Sequence, residues 1–175
     1  AHRNNFHPVL PVITRLIKDD LIGRVLEMRG RGKEDARGGA LDLWVLGSHV
    51  LNLARWFGGE PVACAATLLQ NGKPVTRADL REGDDGVGPL AGNEVHARFE
   101  MERGLPLFFD STQNAGTNGS GFGLQLNGVK GTIGRVPAFT RRVVDTMGAG
   151  DAFMAVTAPL AAVSGDMDAV GFIGN

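Results

Sequence analysis

Residues 93–101, NEVHARFEM, alternate without a break. Val95, Ala97, Phe99 and Met101 fall on one side of an extended chain, and Glu94, His96, Arg98 and Glu100 on the other. A two-residue period fits a strand with one wet face and one covered face. Something apolar must lie over the covered face. The sequence offers it at 41–57, LDLWVLGSHVLNLARWF, apolar almost all round and long enough for a buried helix. Gly58-Gly59 end that helix, with Pro61 beyond. A second helix is predicted over 8–22, PVLPVITRLIKDDLI, where Val9, Val12, Ile13, Leu16 and Ile17 recur at helical spacing. Pro8 and Pro11 suit its first turn and Gly23 its stop.

The remaining elements read as strands and turns. RVLEMRG (24–30) is a strand, followed by a charged, glycine-rich loop, RGKEDARGG (31–39). PVACAATLLQ is strand-like and NGKP is a turn. LREGDDGVGPLAG (80–92) reads as a mobile loop, LPLFFDS as a further strand, and TQNAGTNGSGFG as a long polar loop. LQLNGVKGTI reads as two short strands around a hairpin signal, Asn127-Gly128. Residues 1–134 are therefore expected to form an α+β layer, two helices on an antiparallel meander. RVPAFTRRVVD then leads into a glycine turn and a helix from about Asp151, a strand–turn–helix unit too small for its own core.

Composition narrows the function. A net charge of −1 argues against a general nucleic-acid or anionic-membrane binder. No run approaches the roughly 18 apolar residues of a membrane span. The opening AHRNNFHPVL has no apolar signal region and no initiator Met, which fits a start inside a longer reading frame. The single cysteine, Cys64, excludes an internal disulfide and suits a reducing cytoplasm; its apolar surroundings predict a buried thiol.

Two places carry candidate chemistry. On the 41–57 helix, Asp42 and His49 are almost two turns apart, which puts both on one face, and Asn52 lies within a turn of His49. Such groups are costly to bury unpaired. Either they hydrogen-bond neighbouring backbone, or they form a polar pocket where His49 is the acid/base and Asp42 sets its tautomer. Gly38-Gly39 would let a ligand approach the backbone, and Lys33 is either solvated or turned to a ligand. The second place is DTMGAGDAF (145–153). Gly148 and Gly150 permit a tight turn with free N–H groups at a helix start, and Asp151 could accept a proton or simply cap the helix.

The stretches NNFHPVLPVITRLIKDDLIGRVLEMRGRG, GGALDLWVLGSHVLNLARWFGGEP and LQLNGVKGTI resemble, in order and spacing, the substrate domain of the Gfo/Idh/MocA oxidoreductases. The resemblance covers residues 1–134. It implies a substrate and oligomerisation domain that acts with NAD(P) on a sugar or cyclitol CH–OH group. It matches His49 to the histidine that moves a proton at the substrate hydroxyl, and Asp42 less closely to its acidic partner. The usual spacing is four, and Val45 stands there. Lys33 and Asn52 would then face substrate. The family's G-x-G-x-x-G turn and E-K-P lysine do not occur in this sequence, so the chain is not expected to turn over alone. GSGFG (119–123) lacks a strand–turn–helix context and is set aside.

DTMGAGDAF resembles the signature of the PfkB (ribokinase-like) sugar kinases. That resemblance covers 135–175 and implies ATP and Mg²⁺, with Asp151 as catalytic base. It also implies an anion hole at Gly148, Ala149 and Gly150, and a monovalent-cation position at Asp145. The two stretches abut near Gly134-Arg135 without a linker. Three functions stand as expectations. The first is the substrate-binding part of an NAD(P)-dependent oxidoreductase. The others are a sugar-kinase fragment and a non-enzymatic module that forms a homo-oligomer through the open face of its sheet.

Overall fold

The computed structural model describes residues 9–115 and 122–134. The predicted kinase-like unit, with Asp145, Gly148, Ala149, Gly150 and Asp151, lies outside the described residues, as do parts of the 112–123 loop.

Helix α1 is Val9–Lys18. It stops well before Gly23. Asp20 takes a left-handed φ of 63°. The Leu21 N–H then reaches the Leu16 carbonyl at 3.0 Å and the Asp20 N–H the Ile17 carbonyl at 3.1 Å. These crossed bonds close the helix in a Schellman cap, with aspartate where glycine is usual. Strand β1, Val25–Arg31, comes next.

The second helix, α2, covers residues 40–58 in three continuous segments: Ala40–Asp42, a π-helical turn at Leu43–Gly47, and Ser48–Gly58. It is not enclosed all round. Leu41, Val50, Ala54 and Gly58 are buried, while Trp44 is 65% exposed. A helix lying on one face of a sheet has one face left over, and its Trp residues occupy that face.

Nine strands complete the described residues: β1, then β2 Pro61–Gln70, β3 Lys73–Pro74, β4 Arg81–Glu82, β5 Pro89–Leu90, β6 Glu94–Met101, β7 Leu107–Thr112, β8 Gly123–Gly128 and β9 Thr132–Ile133. Seven form one sheet in the order β3-β2-β6-β7-β1-β8-β9. All its neighbours are antiparallel except β1 and β7, which run parallel in the register Met28↔Leu107 to Arg31↔Asp110. The expected meander is thus broken at its centre. β1 enters between β7 and β8, so the layer is α+β with a mixed, mostly antiparallel sheet.

Turn chemistry explains what links the strands. Asn71 and Gly72 both have positive φ, 53° and 75°, as a two-residue hairpin between β2 and β3 requires. Asn127-Gly128 is not a turn: both residues lie inside β8, and the chain reverses over residues 129–131, where the Gly128 N–H donates to the Gly131 carbonyl at 2.8 Å. The stretch predicted as a mobile loop at 80–92 contains the β4–β5 hairpin. Its entry is a 3₁₀ turn capped by Thr76 and Asp79.

Both helices cover the same sheet face. Leu41 and Val50 meet Val95, Ala97 and Phe109; further along, Ala54, Ile13 and Ile17 meet Met28, Met101, Leu107 and Leu126. The Trp56 indole N–H donates to the Thr14 hydroxyl at 3.1 Å and ties α2 to α1. The predicted alternation of β6 holds, with Val95, Ala97 and Met101 inside. The helical layer does not extend over β2. There the expectation for Cys64 fails: its thiol is exposed. An apolar sequence predicts burial only where a second layer reaches it.

Candidate functional site

The loop at 32–39 leaves the end of β1, folds against the end of β7 and delivers the chain to α2. A buried polar cluster holds it there. Asp42 is 0% exposed. Its Oδ2 accepts the Ser111 hydroxyl at 2.7 Å and the Glu34 N–H at 3.1 Å. The Ser111 Oγ in turn accepts the Gly39 N–H at 3.0 Å. Glu34, only 2% exposed, sits at a left-handed φ of 59°. Its carboxylate takes the Arg31 guanidinium through Nε at 2.7 Å and Nη2 at 3.3 Å, and the Thr112 N–H at 3.0 Å. The strain of a non-glycine residue at positive φ, on the order of 1 kcal/mol, is offset by this charged, bidentate pair.

Two N–H groups in the first turn of α2 are taken up by backbone carbonyls. The Ala40 N–H donates to the Gly92 carbonyl and the Asp42 N–H to the Arg37 carbonyl. Asp42 stands in that first turn, where the helix dipole favours a carboxylate. On the outer side of the loop, Asp35 receives Arg37 through Nη2 at 2.7 Å and Nε at 3.2 Å, with Lys33 at 3.5 Å. The Arg37 guanidinium is the main reason the Asp35 carboxyl lies well below the usual carboxylate range.

The glycines of this loop serve packing. A Cβ on Gly32 would stand 2.1 Å from Asp42 Oδ2. One on Gly38 would stand 2.3 Å from backbone at Gln113, and one on Gly39 2.5 Å from backbone at Asn93. The space expected to admit a ligand at Gly38-Gly39 is filled by the chain itself.

The predicted residues therefore separate. Asp42 is the buried node of the loop, and neither of its described hydrogen bonds goes to His49. Its Oδ1 is buried with no partner among the described residues. The π-helical turn between the two carries one extra residue, which rotates the later part of the helix by about 100°. Seven residues then no longer close two turns. His49 is half-buried and Asn52 buried on the Ser48–Gly58 segment. Lys33 is exposed. Glu34, Arg31 and Ser111 were missed. Ser111 was within reach, since the period of β7 puts it inward with Leu107 and Phe109.

The opposite sheet face is polar. Arg29 holds Glu27 at 2.8 and 3.2 Å and lies 4.5 Å over the Phe108 ring. The bond to Arg29 is the main cause that lowers the Glu27 carboxyl. His96 Nδ1 lies 2.7 Å from Asp110 Oδ1.

The described residues do not fit NAD(P). Their glycine-rich connection from strand to helix is the 32–39 loop, whose glycines pack against the chain and whose Gly39, Ala40 and Asp42 N–H groups already have acceptors. They also contain no cluster of three or more His, Cys, Asp or Glu able to hold a metal ion. None of their helices is long and apolar enough to cross a membrane.

No protein-family model matches the chain, and no curated protein does. Among solved structures, the fold is similar to apo scyllo-inositol dehydrogenase from Lactobacillus casei, with a TM-score of 0.53 and 17% identity over 84% of this chain and 43% of that one. It is also similar to apo levoglucosan dehydrogenase, with a TM-score of 0.50 and 22% identity over 76% of this chain and 39% of that one. The chain thus spans less than half the length of these neighbours. Nothing in the comparisons supports a kinase segment. What the likeness shows is the fold: this chain has an α+β layer similar to that of the matching part of these two dehydrogenases.

Proposed function

We propose that this chain is the substrate-side part of an NAD(P)-dependent oxidoreductase acting on a CH–OH group of a sugar or cyclitol. The fold likeness carries the reading, because it extends over most of the chain and to dehydrogenases named for scyllo-inositol and levoglucosan. In this reading His49 takes or returns the proton of the reacting hydroxyl. Asn52 and Lys33 contact the polyol. Asp42 acts at one remove: through Ser111 and the Glu34 N–H it fixes the start of the helix that carries His49. Nicotinamide binding belongs to a dinucleotide-binding unit, and the described residues do not form one.

The test is ligand-observed NMR of the chain with scyllo-inositol, levoglucosan and an uncharged non-polyol control. The reading expects weak, saturable binding of at least one polyol, reduced several-fold in His49→Ala. It expects no NADH from the chain alone with NAD⁺. Polyol binding that His49→Ala leaves unchanged, or no polyol binding at all, would falsify the reading.

A further inference from the structure

Asn-Gly occurs twice among the described residues, at 71–72 and at 127–128, and the two stand in opposite chemical settings. The first is the exposed tip of the β2–β3 hairpin. Its Gly72 N–H donates to the Glu94 Oε1 at 3.1 Å. The Asn71 Oδ1 accepts from the Asn93 Nδ2 at 2.7 Å. The Asn93 amide is held in that orientation, because its own Oδ1 accepts the Asn71 N–H at 2.8 Å. A carboxylate therefore receives the hydrogen of one backbone nitrogen. An amide donor polarises the side-chain carbonyl that the same nitrogen reaches in a five-membered ring. These are two parts of an acyl-transfer site, a base on the nucleophile and a donor on the oxygen that gains charge.

We propose that Asn71-Gly72 is a self-modification site, where the hairpin converts Asn71 to aspartate and isoaspartate through a cyclic imide. The Gly72 nitrogen attacks the Asn71 Cγ as its hydrogen passes to Glu94. The Asn93 Nδ2 donates to the developing oxyanion. The Asn71 Cγ–Nδ2 bond then breaks, the proton passes from Glu94 to that nitrogen, and ammonia leaves. Water later opens the ring, at the side-chain carbonyl to give aspartate or at the main-chain carbonyl to give isoaspartate. Nothing is oxidised or reduced, and water is the only co-reactant. Nucleophile and carbonyl are covalently joined, so no encounter is needed. Ring closure turns the peptide between Asn71 and Gly72, and the tip has room for it: a Cβ on Gly72 would meet nothing within 4 Å. Isoaspartate adds a carbon to the main chain, and the two-residue turn that pairs Leu69 with Pro74 then no longer fits. The site does not depend on the oxidoreductase reading.

Asn127-Gly128 is an internal control. The Gly128 N–H donates to the Gly131 carbonyl at 2.8 Å, which is no base. The Asn127 Nδ2 donates to Glu27 at 2.9 Å, and its Oδ1 accepts from Gln125 and Thr132. A Cβ on Gly128 would stand 2.1 Å from the Ile22 carbonyl oxygen, so this peptide has no room to turn.

The experiment incubates the full chain at neutral pH, in native buffer and in urea. Peptide mapping by mass spectrometry follows each Asn-Gly by itself, and isoaspartate methyltransferase labels the β-linked product. In the folded chain Asn71 should convert at least as fast as in urea, and Asn127 many times more slowly than in urea. Glu94→Gln should slow Asn71 about tenfold in the folded chain, less than the roughly hundredfold of a well-placed base because this one stands in water. Asn93→Asp, which keeps the acceptor for the Asn71 N–H and removes the donor, should slow it several-fold. Both variants should keep the native circular dichroism and react at the parent rate in urea. Folding that slows Asn71 as much as it slows Asn127 overturns the proposal. So does a folded Glu94→Gln chain in which Asn71 reacts at the parent rate.

Discussion

Ser111→Ala removes one hydroxyl and reaches two buried partners. The Ser111 Oγ donates to Asp42 at 2.7 Å and accepts the Gly39 N–H at 3.0 Å. The variant leaves the Gly39 N–H without its acceptor, a cost of about 1–3 kcal/mol. It also takes from Asp42 one of its two described donors, where a bond to a charged group is worth roughly 1.5–3 kcal/mol. The two losses share one relaxation and do not add fully, so about 3 kcal/mol is expected. Urea unfolding monitored by fluorescence suits the test, because Trp44 and Trp56, the chain's two tryptophans, both lie on α2. A double-mutant cycle with Asp42→Ala isolates the pair, with an expected coupling of about 1.5–3 kcal/mol. A loss under roughly 0.5 kcal/mol, or strict additivity in the cycle, would refute the cluster as the element that fixes the loop to the sheet.

Glycine substitutions separate steric from conformational cost. Gly38→Ala places a methyl 2.3 Å from Gln113 backbone, which cannot yield as a side-chain tip can; a loss of about 3 kcal/mol or more is expected in thermal melts. Gly72→Ala, which meets nothing within 4 Å but sits at a φ of 75°, should lose only about 1 kcal/mol. Asp35 gives a pH dependence. Its folded pKa is depressed, so its contribution is complete above the ordinary aspartate value of about 4 and fades as pH falls toward the lower folded value. Arg37→Gln should therefore lower stability near neutral pH, by an amount that shrinks in acid; a deficit constant across pH would exclude the ion pair as its cause.

Local signals in the sequence proved reliable where the neighbouring chain alone decides the outcome. The alternation of β6 and the start and stop of α2 are of that kind; of the predicted NGKP turn only Asn71-Gly72 makes the reversal, and Lys73-Pro74 already belong to β3. Cys64 failed because burial depends on how far a second layer extends, which no local pattern records. Glu34 reads as a solvated loop residue; its partners include Thr112, far along the chain, and only tertiary folding brings them together. Asp42 and His49 were paired by assuming 3.6 residues per turn, and one π-helical turn removes that phase. Asp20 ended α1 by taking a left-handed backbone that aspartate enters more often than most residues, though at a cost glycine does not have. The period of β7 did hold the information about Ser111, as a polar residue at an inward position.

The position of β1 has a consequence for how the chain is made. Among the described strands Val25–Arg31 is made first, yet both its neighbours in the sheet, Leu107–Thr112 and Gly123–Gly128, come far later. At ordinary synthesis rates the interval is on the order of ten seconds. Throughout it β1 has neither hydrogen-bonding partner, while β2, β3 and β6 can already pair among themselves. The last partners to arrive therefore close the centre of the sheet, and a nascent chain cut short just before Gly123 would hold β1 against β7 alone, with its β8 edge open.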